Sequence, residues 1–420
     1  MWQRIKNIYH LGIAFIANMW YGFPSRKLRV IGVTGTDGKT TTTSLIYHIL
    51  NAEGFNASMV TSVGAVIGGK NYDVGFHVTT PSSFAIQKFL KKETEMLKQD
   101  GYQTVTRQVQ HDNEERFLVL ETTSHALDQY RVFGIDFEVG VLTNVTHEHL
   151  DYHKTYENYV KTKAKLLKMS KIAIVNRDDE SYGMIKDKGL ITKNKIKLIT
   201  YGMGANADVN PGNFPFKTNL IGDFNKYNIL AAISSCKALG VPPDAIRKGI
   251  ESFVPPKGRE DIVYPSAGSG RADFTVMIDF AHTPNAFDQI LSAIRPSIKG
   301  KLIHVFGSAG QRDASKRPLM GKASSKYADI IILTSEDPRS ESVDQINKDI
   351  ESGIKNQESK VIKIPDREEA IETAIKMAKN GDFVIMTGKS HEKSMNYGHG
   401  EVSWDEYEVV NKILKIKNQK

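Results

Sequence analysis

The sequence has almost no cysteine. Cys236 is the single thiol in 420 residues, so no intrachain disulfide can form, and the chain suits a reducing compartment such as the cytoplasm. It also lacks an apolar run of membrane-spanning length. The candidate, Leu11 to Phe23, falls short of the roughly 20 residues a span requires, and the absence of a small-residue cleavage site after it argues against a signal peptide. Charge of one sign is not concentrated either: 56 Lys and Arg against 48 Asp and Glu give a formal +8 with no basic tail. That balance favours small anionic ligands and argues against nucleic acid as the partner. No internal repeat or low-complexity tract stands out.

What is present is ordinary globular material, 40% hydrophobic and 25% charged, enough to bury two or three cores. Two readings of the first residues stand open: a helix packed on the first domain, or an interfacial helix with Trp2, Trp20 and Tyr21 at the level of lipid headgroups. From Arg29 onward, β-branched runs alternate with helical patterns, which predicts an α/β protein with mostly parallel sheets. The expected strands are VIGVTG, RFLVLE, VGVLTNV, KIAIVN and KLITY, then FTVMIDF, KLIHVFG, IIILTS, KVIKI and FVIMTG. Between Lys91 and Arg116 the apolar period is not sustained after a helical start, so an exposed, peripheral loop or hairpin is expected there. Paired prolines in SFVPPKGRED place a linker near Pro256. The expected organisation is an apolar helical segment over 1–28, a central phosphate-loop ATPase domain over 29–255, and a Rossmann-like α/β domain over 256–420.

The chemistry begins at GTDGKTTTTS. Gly35 and Gly38 permit a tight turn, and the amides that follow open a helix whose N-terminus can hold phosphates. Lys39 would supply charge to the β and γ phosphates, and Thr40 a hydroxyl to Mg²⁺. The usual spacing wants a glycine at the position of Val33, so the loop alone leaves a plain helix-capping turn as the alternative. RFLVLE ends on Glu121, a carboxylate at a strand's C-terminal end that can meet an ATP-bound metal. VLTNVTHEHLDYH gathers His147, Glu148, His149, Asp151 and His153. Beside a phosphate site and without cysteine, these residues favour hard Mg²⁺ over a zinc centre.

These motifs together resemble the Mur ligase family, and within it the ligases that add the third amino acid to a UDP-N-acetylmuramoyl-dipeptide in peptidoglycan precursor synthesis. The phosphate loop of that family matches Gly35, Thr36, Asp37, Gly38, Lys39, Thr40, Thr41 and Thr42, which removes the difficulty at Val33. The resemblance implies an ATP-dependent amide ligase working through an acyl phosphate. It assigns metal to Thr40, Glu121, His149 and Lys163, with two Mg²⁺ ions expected and Lys163 of ENYVKTKAKLL carbamylated to bridge. Glu148 stands where the family usually has aspartate.

Further assignments follow from the same resemblance. Asn225 and Asn228 of GDFNKYNILAAI fall to the adenine, and Asp279, His282, Lys316 and Arg317 to the nucleotide from the C-terminal domain. Thr79, Thr80, Pro81, Thr123, Gln129 and Arg131 fall to the muramyl-dipeptide acceptor, and Arg312, Asp337, Arg339, Gly388 and Glu392 to the incoming amine. Arg339 points to meso-diaminopimelate. Asp337, where the family has asparagine, and Glu336, where it has aspartate, keep lysine, ornithine and other diamino acids open. Full-length relatives carry a domain of roughly 90 residues before the loop to hold the uridine nucleotide. The resemblance therefore implies that this pocket is absent or supplied by another surface, and that a lipid-linked acceptor is an alternative. A folylpolyglutamate-synthase-like ligase and a non-catalytic nucleotide-binding scaffold are the remaining alternatives. A cytoplasmic monomer, with peripheral membrane contact through the first helix as a further option, completes the expectation.

Overall fold

Strands buried on both faces read as near-continuous apolar runs, and Arg29–Thr34 (β1) is such a strand, buried at every position after Arg29. The computed structural model describes residues 2–75, 80–100, 115–146, 148–191, 196–265, 274–355 and 358–418. They divide into two units, Met1–Thr146 with His153–Asn219 and Phe224–Val254, and His147–Tyr152 with Leu220–Asp223 and Pro255–Lys420. Both are α/β.

In the first unit β1 is joined by Asn56–Val60 (β2), Ala65–Ile67 (β3), Lys70–Tyr72 (β4), Arg116–Glu121 (β5), Phe137–Leu142 (β6), Ser170–Asn176 (β7) and Lys197–Tyr201 (β8). The sheet order is β4-β3-β2-β5-β1-β6-β7-β8. Pairing is parallel from β2 to β8 and antiparallel through β2, β3 and β4. Its helices are Trp2–Tyr21 (α1), Lys39–Ala52 (α2), Ser83–Asp100 (α3), Ser124–Asp128 (α4), Leu150–His153 (α5, which runs across the division), Tyr156–Lys168 (α6), Glu180–Asp187 (α7), Asp223–Ala238 (α8) and Pro243–Glu251 (α9). Because β1 lies between β5 and β6, the chain leaving these strands diverges at their C-terminal ends. Open parallel sheets form their ligand crevice at such a switch point.

The second unit holds Asp261–Tyr264 (β9), Thr275–Asp279 (β10), Leu302–Phe306 (β11), Ile330–Leu333 (β12), Lys360–Lys363 (β13) and Phe383–Thr387 (β14) in the order β13-β12-β11-β14-β10-β9. Only β9 runs antiparallel to its neighbour. A hairpin of Ser394–Asn396 (β15) and Glu401–Ser403 (β16) stands apart. The helices are Pro284–Ile294 (α10), Lys316–Ser325 (α11), Val343–Glu351 (α12), Arg367–Met377 (α13) and Glu406–Asn418 (α14). Thr283 caps α10 through the Ala286 amide with Pro284 at the first helical position, and Asp366 caps α13 through Glu369.

One sequence expectation changes here. The helical start of the stretch is the end of α3, which reaches Asp100, but it is not wholly exposed. Glu93 on that helix is fully buried because Arg116 donates to it at 2.8 Å and Ser58 also bonds to it. A buried face that carries a paired carboxylate shows no apolar period, so the pattern was lost although the burial was not. Residues 101–114 lie outside the described residues.

Within the second unit, Arg367 is wholly buried and makes a two-point contact with Glu406, Nε to Oε2 at 2.8 Å and Nη2 to Oε1 at 2.7 Å. It also donates to the carbonyls of Ser335 and Thr387. Removing one charge of such a pair leaves the other desolvated and unanswered. Glu406→Gln is therefore expected to destabilise this unit by about 3 kcal/mol, read as a lower urea midpoint. A midpoint unchanged from the parent protein would refute the estimate.

Candidate active site

The turn after β1 is shaped by two close approaches. A Cβ at Gly35 would fall 1.7 Å from Thr143 Oγ1, and one at Gly38, where φ is 80°, would fall 2.1 Å from Asn228 Oδ1. Side chains are excluded at both points, and the backbone turns sharply into α2. The loop is then tied to the chain leaving β6. Asn144 accepts from the Thr36 and Asp37 amides at 2.9 Å, through its carbonyl and its side chain respectively. Thr143 Oγ1 and Asn144 Nδ2 donate to Asp37 O at 2.7 and 3.1 Å. Lys39 folds back, its Nζ donating to Thr36 O at 2.7 Å.

Beside the loop, Glu121 closes β5 with 1% exposure. Its Oε2 accepts from Thr40 Oγ1 and from the Ser62 amide, both at 3.0 Å. This all-oxygen set of carboxylate and hydroxyls suits a hard divalent cation such as Mg²⁺. Lys163, on α6, is 1% exposed, and its Nζ donates to Gly35 O at 2.6 Å while lying 4.4 Å from the centre of the Tyr159 ring. Asn228 contacts Gly38, approaches Thr42 and bonds to Asn225 at 3.0 Å. Both asparagines therefore stand at the phosphate loop.

The residues assigned to the acceptor also converge. Thr80 Oγ1 donates to Glu121 O at 3.1 Å and accepts from the Thr123 amide at 2.9 Å. Arg131 donates to Thr80 O at 2.9 Å and to Gln129 Oε1 at 2.7 and 3.1 Å. Thr123 caps α4, and Pro81 is buried next to Thr80. Thr79 and His147 lie outside the described residues. His153 bonds to Ser124 at 3.0 Å and stacks on Tyr159. Burial, then the nearby His125 and Lys163 cations, push it down to about 4, so it is neutral at physiological pH. Among the described residues no three His, Cys, Asp or Glu side chains are grouped so as to hold a metal ion.

In the second unit, Glu148 is the hub of a charged cluster. His282 approaches it at 3.3 Å, Lys316 at 3.6 Å and His149 at 3.7 Å. Burial opposes its ionisation, yet these cations hold its carboxyl well below the usual carboxylate range. Lys316 also donates to His282 O at 2.9 Å. Asp279 is committed to backbone amides, those of Glu260 and Ala281. Arg317 differs from expectation: it is 2% exposed and bound to Glu341 at 2.7 Å and Asp349 at 2.9 Å, so it ties the start of α11 to α12 and the chain before it. Nothing in the local sequence separates it from Lys316.

Two of the residues assigned to the amine, Asp337 and Glu392, share a lysine that sequence reasoning passed over. Lys389 Nζ lies 3.0 Å from both oxygens of Asp337 and 2.6 Å from Glu392. The Asn396 amide also donates to Asp337. The extra negative charge at Asp337 is thus answered from within the protein. Arg339 donates to Gly310 O, and Gly388 lies against the Glu336 carboxylate. Burial pushes Glu336 up to about 7. Arg312 is exposed. The adjacent GKS pattern was the available signal for Lys389, but only the fold shows which acids it meets.

Comparison with known proteins gives two family matches: the Mur ligase middle domain over residues 33–236, and the Mur ligase glutamate ligase domain over 267–390. A UDP-N-acetylmuramoyl-L-alanyl-D-glutamate–2,6-diaminopimelate ligase of Aquifex aeolicus is 40% identical over 416 residues, 95% of this chain and 80% of that protein. Its namesake, numbered 1, in Clostridium acetobutylicum is 36% identical over 423 residues, 96% and 81% respectively. Among solved structures, a ligase of the same description has a TM-score of 0.58 at 27% identity, covering 94% of this chain and 79% of that one. Escherichia coli FolC has a TM-score of 0.69 at 18% identity over 97% and 92%, a likeness of fold alone.

Proposed function

The chain belongs to the Mur ligase family, ATP-dependent ligases that join an acid to an amino acid, and from that premise we propose that it adds meso-diaminopimelate to the D-glutamate carboxylate of a UDP-N-acetylmuramoyl-L-alanyl-D-glutamate acceptor. The observation that carries this reading lies within the first unit. Thr80, of the acceptor group, bonds to Thr123 of the same group and to the main chain of Glu121, whose carboxylate holds Thr40 of the phosphate loop. An acceptor carboxylate held by that group meets the phosphates directly.

A free carboxylate is a poor electrophile, so phosphoryl transfer from ATP to one of its oxygens comes first, giving an acyl phosphate and ADP. Arg131, held by Gln129, pairs with acceptor carboxylates, and the hydroxyls of Thr79, Thr80 and Thr123, with Pro81, fix its orientation. Lys39 leaves Thr36 O for the phosphates, joined by the amides of Gly35 to Thr41 at the positive end of α2. Thr40, Glu121, His149 and a carbamylated Lys163 would hold Mg²⁺, which offsets phosphate charge when bound. Asn225, Asn228, Asp279, His282 and Lys316 serve the nucleotide. The amine then attacks the acyl carbon, and phosphate leaves from the tetrahedral adduct.

For the amine, Arg339 with Arg312 pairs with the distal carboxylate and Glu392 with the distal ammonium, Asp337 being neutralised by Lys389. A phosphate-release assay with a panel of diamino acids tests this. Diaminopimelate is expected to stimulate release where lysine and ornithine do not. Arg339→Ala is expected to raise KM for diaminopimelate about 30-fold, the worth of one charged hydrogen-bonded pair. Stimulation by lysine alone would overturn the assignment. We place the protein in the cytoplasm as a monomer, with peripheral contact to the inner face of the membrane through α1.

A further inference from the structure

Helix α1 is oriented against the usual rule. Among its described side chains the small or polar Ala14, Ala17 and Asn18 are the buried ones, and Asn18 donates to Phe133 O at 2.7 Å where the helix packs on the first unit. Six large apolar residues face outward: Ile8 is 70% exposed, Tyr9 67%, Phe15 50%, Ile16 55%, Met19 59% and Trp20 78%. Positions 8, 12, 15, 16 and 19 share one face at 100° per residue, and residue 12 is glycine. Phe84, which meets the Tyr21 ring, and Phe133, whose carbonyl Asn18 holds, are exposed as well. A patch of this kind on a soluble domain marks an interaction site.

The charges around it select the occupant. Helix α1 contains no Asp or Glu. Lys6 is exposed toward one end of the stripe, and Arg26 and Lys27 are exposed just beyond the other. A second copy would bring cations onto cations whether the two helices met parallel or antiparallel. An anionic bilayer answers both ends at once. No helix among the described residues is long and apolar enough to cross a membrane.

We infer that this face of α1 docks on an anionic lipid surface, the helix lying in the headgroup plane with its apolar stripe in the acyl boundary and Lys6, Arg26 and Lys27 against lipid phosphates. The inference gives the proposed peripheral contact a residue-level surface and a lipid class, and it does not depend on the ligase chemistry.

The test is co-sedimentation of the full chain with vesicles of phosphatidylcholine alone or of phosphatidylcholine with phosphatidylglycerol. The protein is expected on the anionic vesicles and to leave them as salt rises. Phe15→Ser/Ile16→Ser/Trp20→Ser, all exposed positions, is expected to lower the bound fraction about tenfold or more. Lys6→Glu/Arg26→Glu/Lys27→Glu is expected to abolish the preference for anionic lipid. Phosphate release with a soluble acceptor should be unchanged in both variants, so loss of docking and failure of the ligase reading are told apart. Absence of vesicle binding, equal binding to neutral vesicles, or a concentration-dependent dimer removed by the triple serine variant would each overturn the inference.

Discussion

Lys163→Ala is expected to lower kcat for acceptor-stimulated phosphate release by about three orders of magnitude, the scale on which removal of a group that stabilises transition-state charge is felt. A lysine on a helix ordinarily reaches solvent. Lys163 is instead 1% exposed and sits 2.6 Å from Gly35 O, against the phosphate loop. Lys161 and Lys165 lie two residues to either side but are solvent-reaching, paired with Glu157 and Asp128. Their alanine variants should stay within about twofold of the parent, as surface pairs contribute little. If Lys163 acts as a carbamate, short carboxylic acids should restore part of the activity of Lys163→Ala, and ¹³C-bicarbonate should label the parent protein but not the variant. If it only ties down the loop, KM for ATP will rise with kcat little changed, and no acid will rescue. That second pattern would sink the carbamate.

Lys39→Ala is expected to cost a comparable factor, about 10³ in kcat, because the ammonium is the one side-chain cation carried by the loop itself. In the structure it bonds to Thr36 O, a contact that can be exchanged for phosphate without disturbing the strand below. Lys39→Arg, which keeps the charge but not the compact head group, should recover only part of the loss. The thermal midpoint should move little in either variant, since Lys39 is only partly buried and its bond in the loop is to a main-chain carbonyl, not to a carboxylate. A variant that retains full turnover would remove Lys39 from phosphoryl transfer.

Both residues were legible in the sequence, but for different reasons. Lys39 belongs to a local motif, in which a strand, a glycine turn and a helix start are all set within ten residues. Lys163 is anonymous by spacing and stood out only through family resemblance. RFLVLE and KLITY were read to the residue as β5 and β8. Missed were β2, whose NASMV carries too little β-branched character, and the short β3, β4, β9, β15 and β16. Their pairing is set by neighbours, not by their own propensity.

The sequence by itself determined the α/β class, the phosphate loop and the carboxylate ending β5. Each of these is local or repeats at the period of its element, so a linear reading can reach it. Only the tertiary structure decided that Asn144 ties the loop to β6, that Lys389 neutralises Asp337, that Arg317 is spent on Glu341 and Asp349, and that α1 turns its large apolar residues outward. Those facts depend on which charge or surface arrives from far along the chain. Burial makes such partners obligatory, and a one-dimensional pattern carries no record of them.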